Sequence, residues 1–167
     1  MRQLKRSMNK YLKVFGNIIF YLIWPGLFFY IYNSSRCRII IIRDNQLLLV
    51  KNWIGPREYT LPGGGFRKNE TPMNAAVREI MEETGIKLKT KSLTKLKPVF
   101  QTTEKKLKYN CYSYVARVNK EAKVIRQKFE ISEIKWVNLK EVISKYPLGS
   151  TSKELIATWL EHNHLLD

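Results

Sequence analysis

GGFRKNETPMNAAVREIMEETGI, residues 64–86, is the stretch whose reading decides the fold. It opens on glycines, which let a backbone approach an ion or a phosphate closely. Thr71 can cap a helix, Pro72 suits its first position, and Gly85 suits its end. The spacing therefore predicts a helix over 71–84. At about 100° per residue, Glu79, Glu82 and Glu83 share an arc of roughly 100°. Met73, Val77, Ile80 and Thr84 lie on a neighbouring arc, expected to face a core. Three anions so close repel one another unless a cation neutralises them. Oxygen-only ligands suit Mg²⁺, Mn²⁺ or Ca²⁺ rather than zinc. Carboxylates alone do not choose between a cation site and a solvated acidic helix face.

Around this helix the chain reads as strands. Cys37–Arg43 is rich in β-branched residues, Asp44-Asn45 has turn chemistry, and Leu47–Lys51 follows as the second arm of a hairpin. Tyr59–Leu61 reads as a short extended piece. Beyond the helix, 86–97, 99–103, 108–118 and 133–137 are strand-like, and 139–145 and 152–162 are helical. Strands, a helix, strands and helices in that order predict an α/β domain with a mixed sheet. Lys87, Lys89, Lys95 and Lys97 alternate with other residues, so lysines are expected along one sheet face.

The full pattern is more specific than its carboxylates. Gly64, Glu70, Arg78, Glu79, Ile80, Glu82, Glu83, Gly85 and Ile86 fill every defined position of glycine-x5-Glu-x7-Arg-Glu-aliphatic-x-Glu-Glu-x-Gly-aliphatic. With average residue usage, chance gives this on the order of 10⁻⁷ times in such a chain. It resembles the Nudix box, and Leu61–Gly65 and the Glu130-to-Trp136 segment are similar to that family too. The resemblance implies a Nudix fold, with a mixed sheet sandwiched between helices. It also implies Mg²⁺-dependent hydrolysis (Mn²⁺ as a substitute) of a diphosphate in a nucleoside diphosphate linked to another moiety. By the same resemblance Glu79, Glu82 and Glu83 are metal ligands, with the Gly64 carbonyl beside them. Glu82 or Glu83 is the general base. Glu70 and Arg78 pair to hold the loop on the helix. Glu130 is a candidate for a further ligand or base, with Glu133 in competition. Trp53, Tyr59, Phe66 and Tyr114 are candidates to stack on a base, against the ordinary alternative of packing.

The rest of the composition sets the setting. The chain has 167 residues, 44% hydrophobic, enough for one domain with an appendage. Two cysteines, Cys37 and Cys111, exclude a disulfide scaffold and a four-cysteine zinc site. The net charge of +16 favours anionic partners, and 87–128 holds thirteen basic residues against Glu104 and Glu121.

Residues 1–35 carry five basic residues, no acid, and an uncharged run from Val14 to Ser35. Leu4, Met8, Tyr11, Phe15, Ile18 and Leu22 form one helical stripe away from the lysines. The expectation is an N-terminal hydrophobic, amphipathic helix over 1–35, ahead of a Nudix domain over 36–167. Trp24-Pro25-Gly26 breaks the apolar run, which suits peripheral or re-entrant attachment to an anionic membrane surface. A single span and a helix packed on its own domain or a dimer partner are the alternatives. The expected location is cytoplasmic, at the membrane surface. The expected partner is a small nucleotide-type substrate, with a 5′-phosphorylated RNA end as the one nucleic-acid candidate. Competing functions are a non-catalytic nucleotide or RNA binder and a hydrolase of a lipid-linked diphosphate.

Overall fold

The computed structural model describes residues 34–53, 57–104, 107–126 and 130–165. The strands are β1 (Ser34–Arg43), β2 (Gln46–Asn52), β3 (Thr94–Glu104), β4 (Leu107–Arg117) and β5 (Ile131–Asn138). The helices are α1 (Pro72–Thr84), α2 (Val142–Lys145) and α3 (Ser150–His162). The sheet order is β3-β4-β1-β2-β5, with β1 and β4 parallel and the other neighbours antiparallel. The expected mixed sheet is therefore present.

β1 is central, and its run Cys37–Ile42 is buried throughout. Such continuous burial is what a strand covered on both faces requires. Cys37, Ile39 and Ile41 pack under α1 with Ala75, Ala76 and Ile80. Ile40 and Ile42 face the other way, against Leu155, Ile156, Trp159 and Leu160 of α3. The turn at Asp44-Asn45 aligns Arg43 with Gln46 and Ile42 with Leu47, and Asp44 takes φ 51°.

α1 starts and stops where its cap residues predict. The Thr71 hydroxyl accepts the Asn74 N–H at 3.3 Å, and Pro72 is the first helical residue. Gly85, at φ 72°, donates its N–H to the Met81 carbonyl at 3.0 Å. Ile80 and Thr84 of the predicted arc are buried and Val77 packs beside them, but the buried face extends past that arc. Met73 is 40% exposed, while Ala75 and Ala76 are fully buried. Small side chains let the helix sit low on β1, so the face that meets the sheet is the one that carries Glu79 and Glu83.

Two further expectations change. The strand predicted over 86–97 begins only at Thr94; a 3₁₀ turn, Thr90–Ser92, precedes it. Lys87 and Lys89 thus precede the sheet. Lys95 pairs with Tyr114 and Lys97 with Ser113, so a register shift separates the two lysines and no single lysine face forms. β3 is an edge strand, which is why it tolerates Pro98 within it. The helix predicted over 139–145 shortens to α2, and the last helix starts two residues earlier, at Ser150. The expected N-terminal helix lies outside the described residues, apart from Ser34 and Ser35, which open β1. Among the described residues no helix is long and apolar enough to cross a membrane.

Candidate functional site

The loop from Leu61 to Phe66 runs onto β1 and brings the glycines under α1. Ile39 donates its N–H to the Pro62 carbonyl and Cys37 to the Gly64 carbonyl, both at 2.9 Å. β1 thus treats this loop as a partial neighbouring strand. Gly63 sits at φ 134°, and a Cβ there would lie 2.3 Å from the Cys37 carbonyl oxygen. A Cβ on Gly64 would lie 2.6 Å from Oε1 of Glu79. Gly63 has no room for a side chain, and Gly64 has none while Glu79 keeps its place.

The three glutamates separate into two environments. Glu83 is 6% exposed, and its Oε2 accepts the Gly63 N–H at 2.9 Å. Burial pushes its carboxyl up to about 8, against the Gly63 N–H that steadies the anion; the neighbouring Glu79 charge adds to the rise. Burial also raises Glu79, opposed by its hydrogen bond from Arg78 at 2.8 Å. Glu82 is different. Its side chain is 43% exposed and held by Arg67 at 2.7 Å and Arg78 at 2.8 Å. Among the described residues no three His, Cys, Asp or Glu side chains converge as a ready-made ion cage. Glu79 and Glu83 sit against the glycine loop, while Glu82 is turned outward to the arginines.

Arg78 organises this face. Its Nε and Nη2 grip both oxygens of Glu70 at 2.8 and 2.9 Å, and Nη2 also reaches the Gly65 carbonyl at 2.9 Å. The predicted pairing of Glu70 with Arg78 is present. It holds the Glu70 carboxyl below its usual range and raises Arg78 further. The bidentate geometry gives direction as well as charge.

Other candidates are also placed. Glu130 is exposed, and its charge is felt by both Glu79 and Glu83. Glu133 instead accepts a hydrogen bond from the Tyr59 hydroxyl. Tyr59 and Tyr114 are buried core residues, Phe66 packs on Tyr112 at 5.0 Å between centroids, and Trp53 is half-buried. The Gly64 carbonyl is directed at β1, accepting from the Cys37 N–H and, at 3.6 Å, from its thiol. A cleft of about 400 Å³ opens at the C-terminal end of α1, where Lys87, Arg117 and Lys123 gather part of the basic cluster. None of the box glutamates lines it.

Two residues escaped the sequence reading, Arg67 and Arg38, and Gly63 entered it only as part of the glycine lead-in. Arg38 is 8% exposed and donates to the Gly63 carbonyl at 2.7 Å. A charged residue inside the otherwise apolar Cys37–Ile42 run was the signal that could have found it.

A family model, the NUDIX domain, matches residues 34–159, and the chain belongs to that family. It is 40% identical over 76 residues to diphosphoinositol polyphosphate phosphohydrolase 3-beta of Homo sapiens, covering 46% of this chain and 44% of the relative. Diphosphoinositol polyphosphate phosphohydrolase 2 of Mus musculus is 37% identical over 76 residues, covering 46% and 40%. The chain thus matches less than half the length of these curated relatives. Among solved structures, a MutT NUDIX hydrolase from Burkholderia pseudomallei superposes with a TM-score of 0.66 at 24% identity, covering 75% of this chain and 97% of that one. A C. elegans Ap4A hydrolase binary complex gives 0.65 at 21% identity, covering 78% and 98%. A bifunctional NMN adenylyltransferase/ADP ribose pyrophosphatase from Francisella tularensis, complexed with AMP and a Mn ion, gives 0.70 at 19%, covering 88% and 47%. These superpositions show the shared fold.

Proposed function

We propose that this chain is a Mg²⁺-dependent pyrophosphohydrolase, with Mn²⁺ as a substitute, that cleaves a diphosphate linkage in a small polyanionic, nucleotide-type substrate. The observation that carries this is the packing of Glu79 and Glu83 against the Gly63–Gly64 loop. Two carboxylates are held partly or wholly out of water, both raised by burial, on a backbone that leaves no room for a Cβ. Hard oxygen donors under mutual repulsion fit a divalent cation. A cation bound there would polarise phosphoryl oxygens and acidify a water.

The placement of the chain's own residues supports a role for each. Glu79 and Glu83 would hold the cation. Glu82, with open access to water, would complete the set on turning from Arg67 and Arg78, and would take the proton of the attacking water. The water oxygen bonds to phosphorus, the bridging P–O bond breaks, and the second phosphate leaves with its substituent. Arg78 keeps Glu79 and Glu82 oriented, and Glu70 keeps Arg78 in place. Glu130 adds negative charge at the mouth of the site. The Gly64 carbonyl accepts the Cys37 N–H and keeps a second lone pair with which it would join the ligand set.

The test is a hydrolysis screen of the full chain with Mg²⁺. Its panel holds diphosphoinositol polyphosphates, dinucleoside polyphosphates, ADP-ribose, NADH, nucleoside triphosphates and 5′-triphosphate RNA, with Glu82→Gln as control. Cleavage of one compound, lost in the variant, is expected. A substrate that binds but survives intact would instead identify a binder. Residues 1–35 are proposed to attach the domain to anionic membranes. The full chain is then expected to float with phosphatidylserine vesicles, and a chain lacking residues 1–33 is expected not to. Equal flotation of both would move the contact to the basic surface of the domain.

A further inference from the structure

We propose that Arg38 is a positioning residue for the site: it locks the Gly63–Gly64 peptide in the orientation that seats Glu79 and Glu83. This rests on the reading of those glutamates as cation ligands.

Arg38 lies on the central strand, where every neighbour from Cys37 to Ile42 is apolar, and a buried guanidinium there is costly. Its placement shows what it does. β1 already fixes the peptides on either side of the Gly63–Gly64 unit, through Ile39 N–H to the Pro62 carbonyl and Cys37 N–H to the Gly64 carbonyl. The carbonyl of the peptide between them, that of Gly63, is the one Arg38 takes, at 2.7 Å. The same Nη1 reaches the Cys37 carbonyl at 3.4 Å, so the guanidinium spans strand and loop. Two adjacent glycines leave that middle peptide freer to rotate than any other pair of residues would. Arg38 removes that freedom.

A carboxylate is seated beside each of the two Cα atoms that bound this peptide unit. The N–H of Gly63, on the preceding peptide, donates to Oε2 of Glu83 at 2.9 Å. The Gly64 Cα lies against the Glu79 carboxylate, whose three terminal atoms would all be within 2.8 Å of a Cβ there. A rotated peptide would change the surface that Glu79 rests on and shift the Gly63 Cα next to the donor that holds Glu83. Arg38 thus touches neither the reacting atoms nor the cation, and acts through the backbone. Groups that hold a ligand in place through a second layer change metal affinity when removed.

The experiment titrates the full chain with Mn²⁺, following free Mn²⁺ by its electron paramagnetic resonance signal. Wild type, Arg38→Lys, Arg38→Met and Glu83→Gln are compared. R38M is expected to weaken Mn²⁺ binding about tenfold, the lower end for second-layer groups, and E83Q at least as much. R38K retains a donor of similar reach and is expected to stay within about twofold of wild type by the same principle. Metal-free melting of each variant separates this from a general loss of fold, which would not be rescued selectively by Lys. R38M that melts as a folded protein and binds Mn²⁺ like wild type, while E83Q does not, overturns the inference and leaves the Glu83 reading intact. E83Q that binds Mn²⁺ like wild type overturns that reading and this inference with it. Should R38M not fold, R38Q takes its place. Its amide is too short to keep the Gly63 bond, so it is expected to lose affinity as R38M would, and wild-type affinity there overturns the inference.

Discussion

Glu83→Gln is expected to lower turnover on the order of 10³-fold while making the metal-free protein more stable at alkaline pH. The two effects have one origin. Burial raises the Glu83 carboxyl from the ordinary 4.5 to about 8. Between those values the folded protein keeps a proton that the unfolded chain has released. Folding stability contributed by this group is therefore full below pH 4.5 and is lost as pH rises toward 8. Glutamine is neutral at every pH, so the variant escapes the loss. Its melting temperature is expected to match wild type near pH 5 and to exceed it by roughly 5 °C at pH 8. Mg²⁺ or Mn²⁺ reverses the order, because a ligand that binds only the folded wild type stabilises it by mass action. Melting curves at both pH values, with and without metal, check all three statements. A wild type whose metal-free stability is flat from pH 5 to 8 would contradict them.

Alanine at Gly63 and at Gly64 is expected to separate stability from function. At Gly63 the backbone has φ 134°, and the new methyl would meet a main-chain carbonyl at 2.3 Å. A carbonyl pinned in the central strand cannot move aside. Gly63→Ala is expected to cost about 3 kcal/mol or more, a melting loss of roughly 10 °C, with activity falling alongside. At Gly64 the collision is with the end of a flexible side chain, Glu79, at 2.6 Å. That side chain can swing away, so Gly64→Ala is expected to melt within about 2 °C of wild type yet lose most of its metal affinity and activity. Thermal melts beside Mn²⁺ titrations distinguish the pair. Equal behaviour of the two variants would mean that Glu79 does not need its seat.

How far the sequence could be read depends on the range of the physics involved. α1 was legible at both ends because Thr71, Pro72 and Gly85 act on their own turn of helix. The β1–β2 hairpin was legible for the same reason. The Glu70–Arg78 pair followed from the family pattern, and the structure brings the two together. The strand at 86–97 was misread because its alternation of Lys with Leu or Thr is equally natural in an exposed connection. Only pairing with β4, beginning at Thr94, decides the matter. The buried face of α1 was legible at Val77, Ile80 and Thr84, but hydrophobicity favoured Met73 where close approach to β1 favoured Ala75 and Ala76. The outward turn of Glu82 depends on Arg67, fifteen residues away on a loop, and no local spacing announces it.

The parallel pairing of β1 with β4 also bears on how the protein is made. Cys37 aligns with Tyr112, 75 residues further along the chain. At typical elongation rates that partner leaves the ribosome roughly 4–15 s after β1 does. Through that interval Ile39-Ile40-Ile41-Ile42 has no parallel neighbour, and such a β-branched, uncharged run is a template for association between nascent chains. Arg36, Arg38 and Arg43 punctuate it at both borders. Charges flanking an unavoidable hydrophobic strand act as gatekeepers against that association. The arginine bonded to the mature loop thus also stands at the border of the run that newborn copies could otherwise pair through.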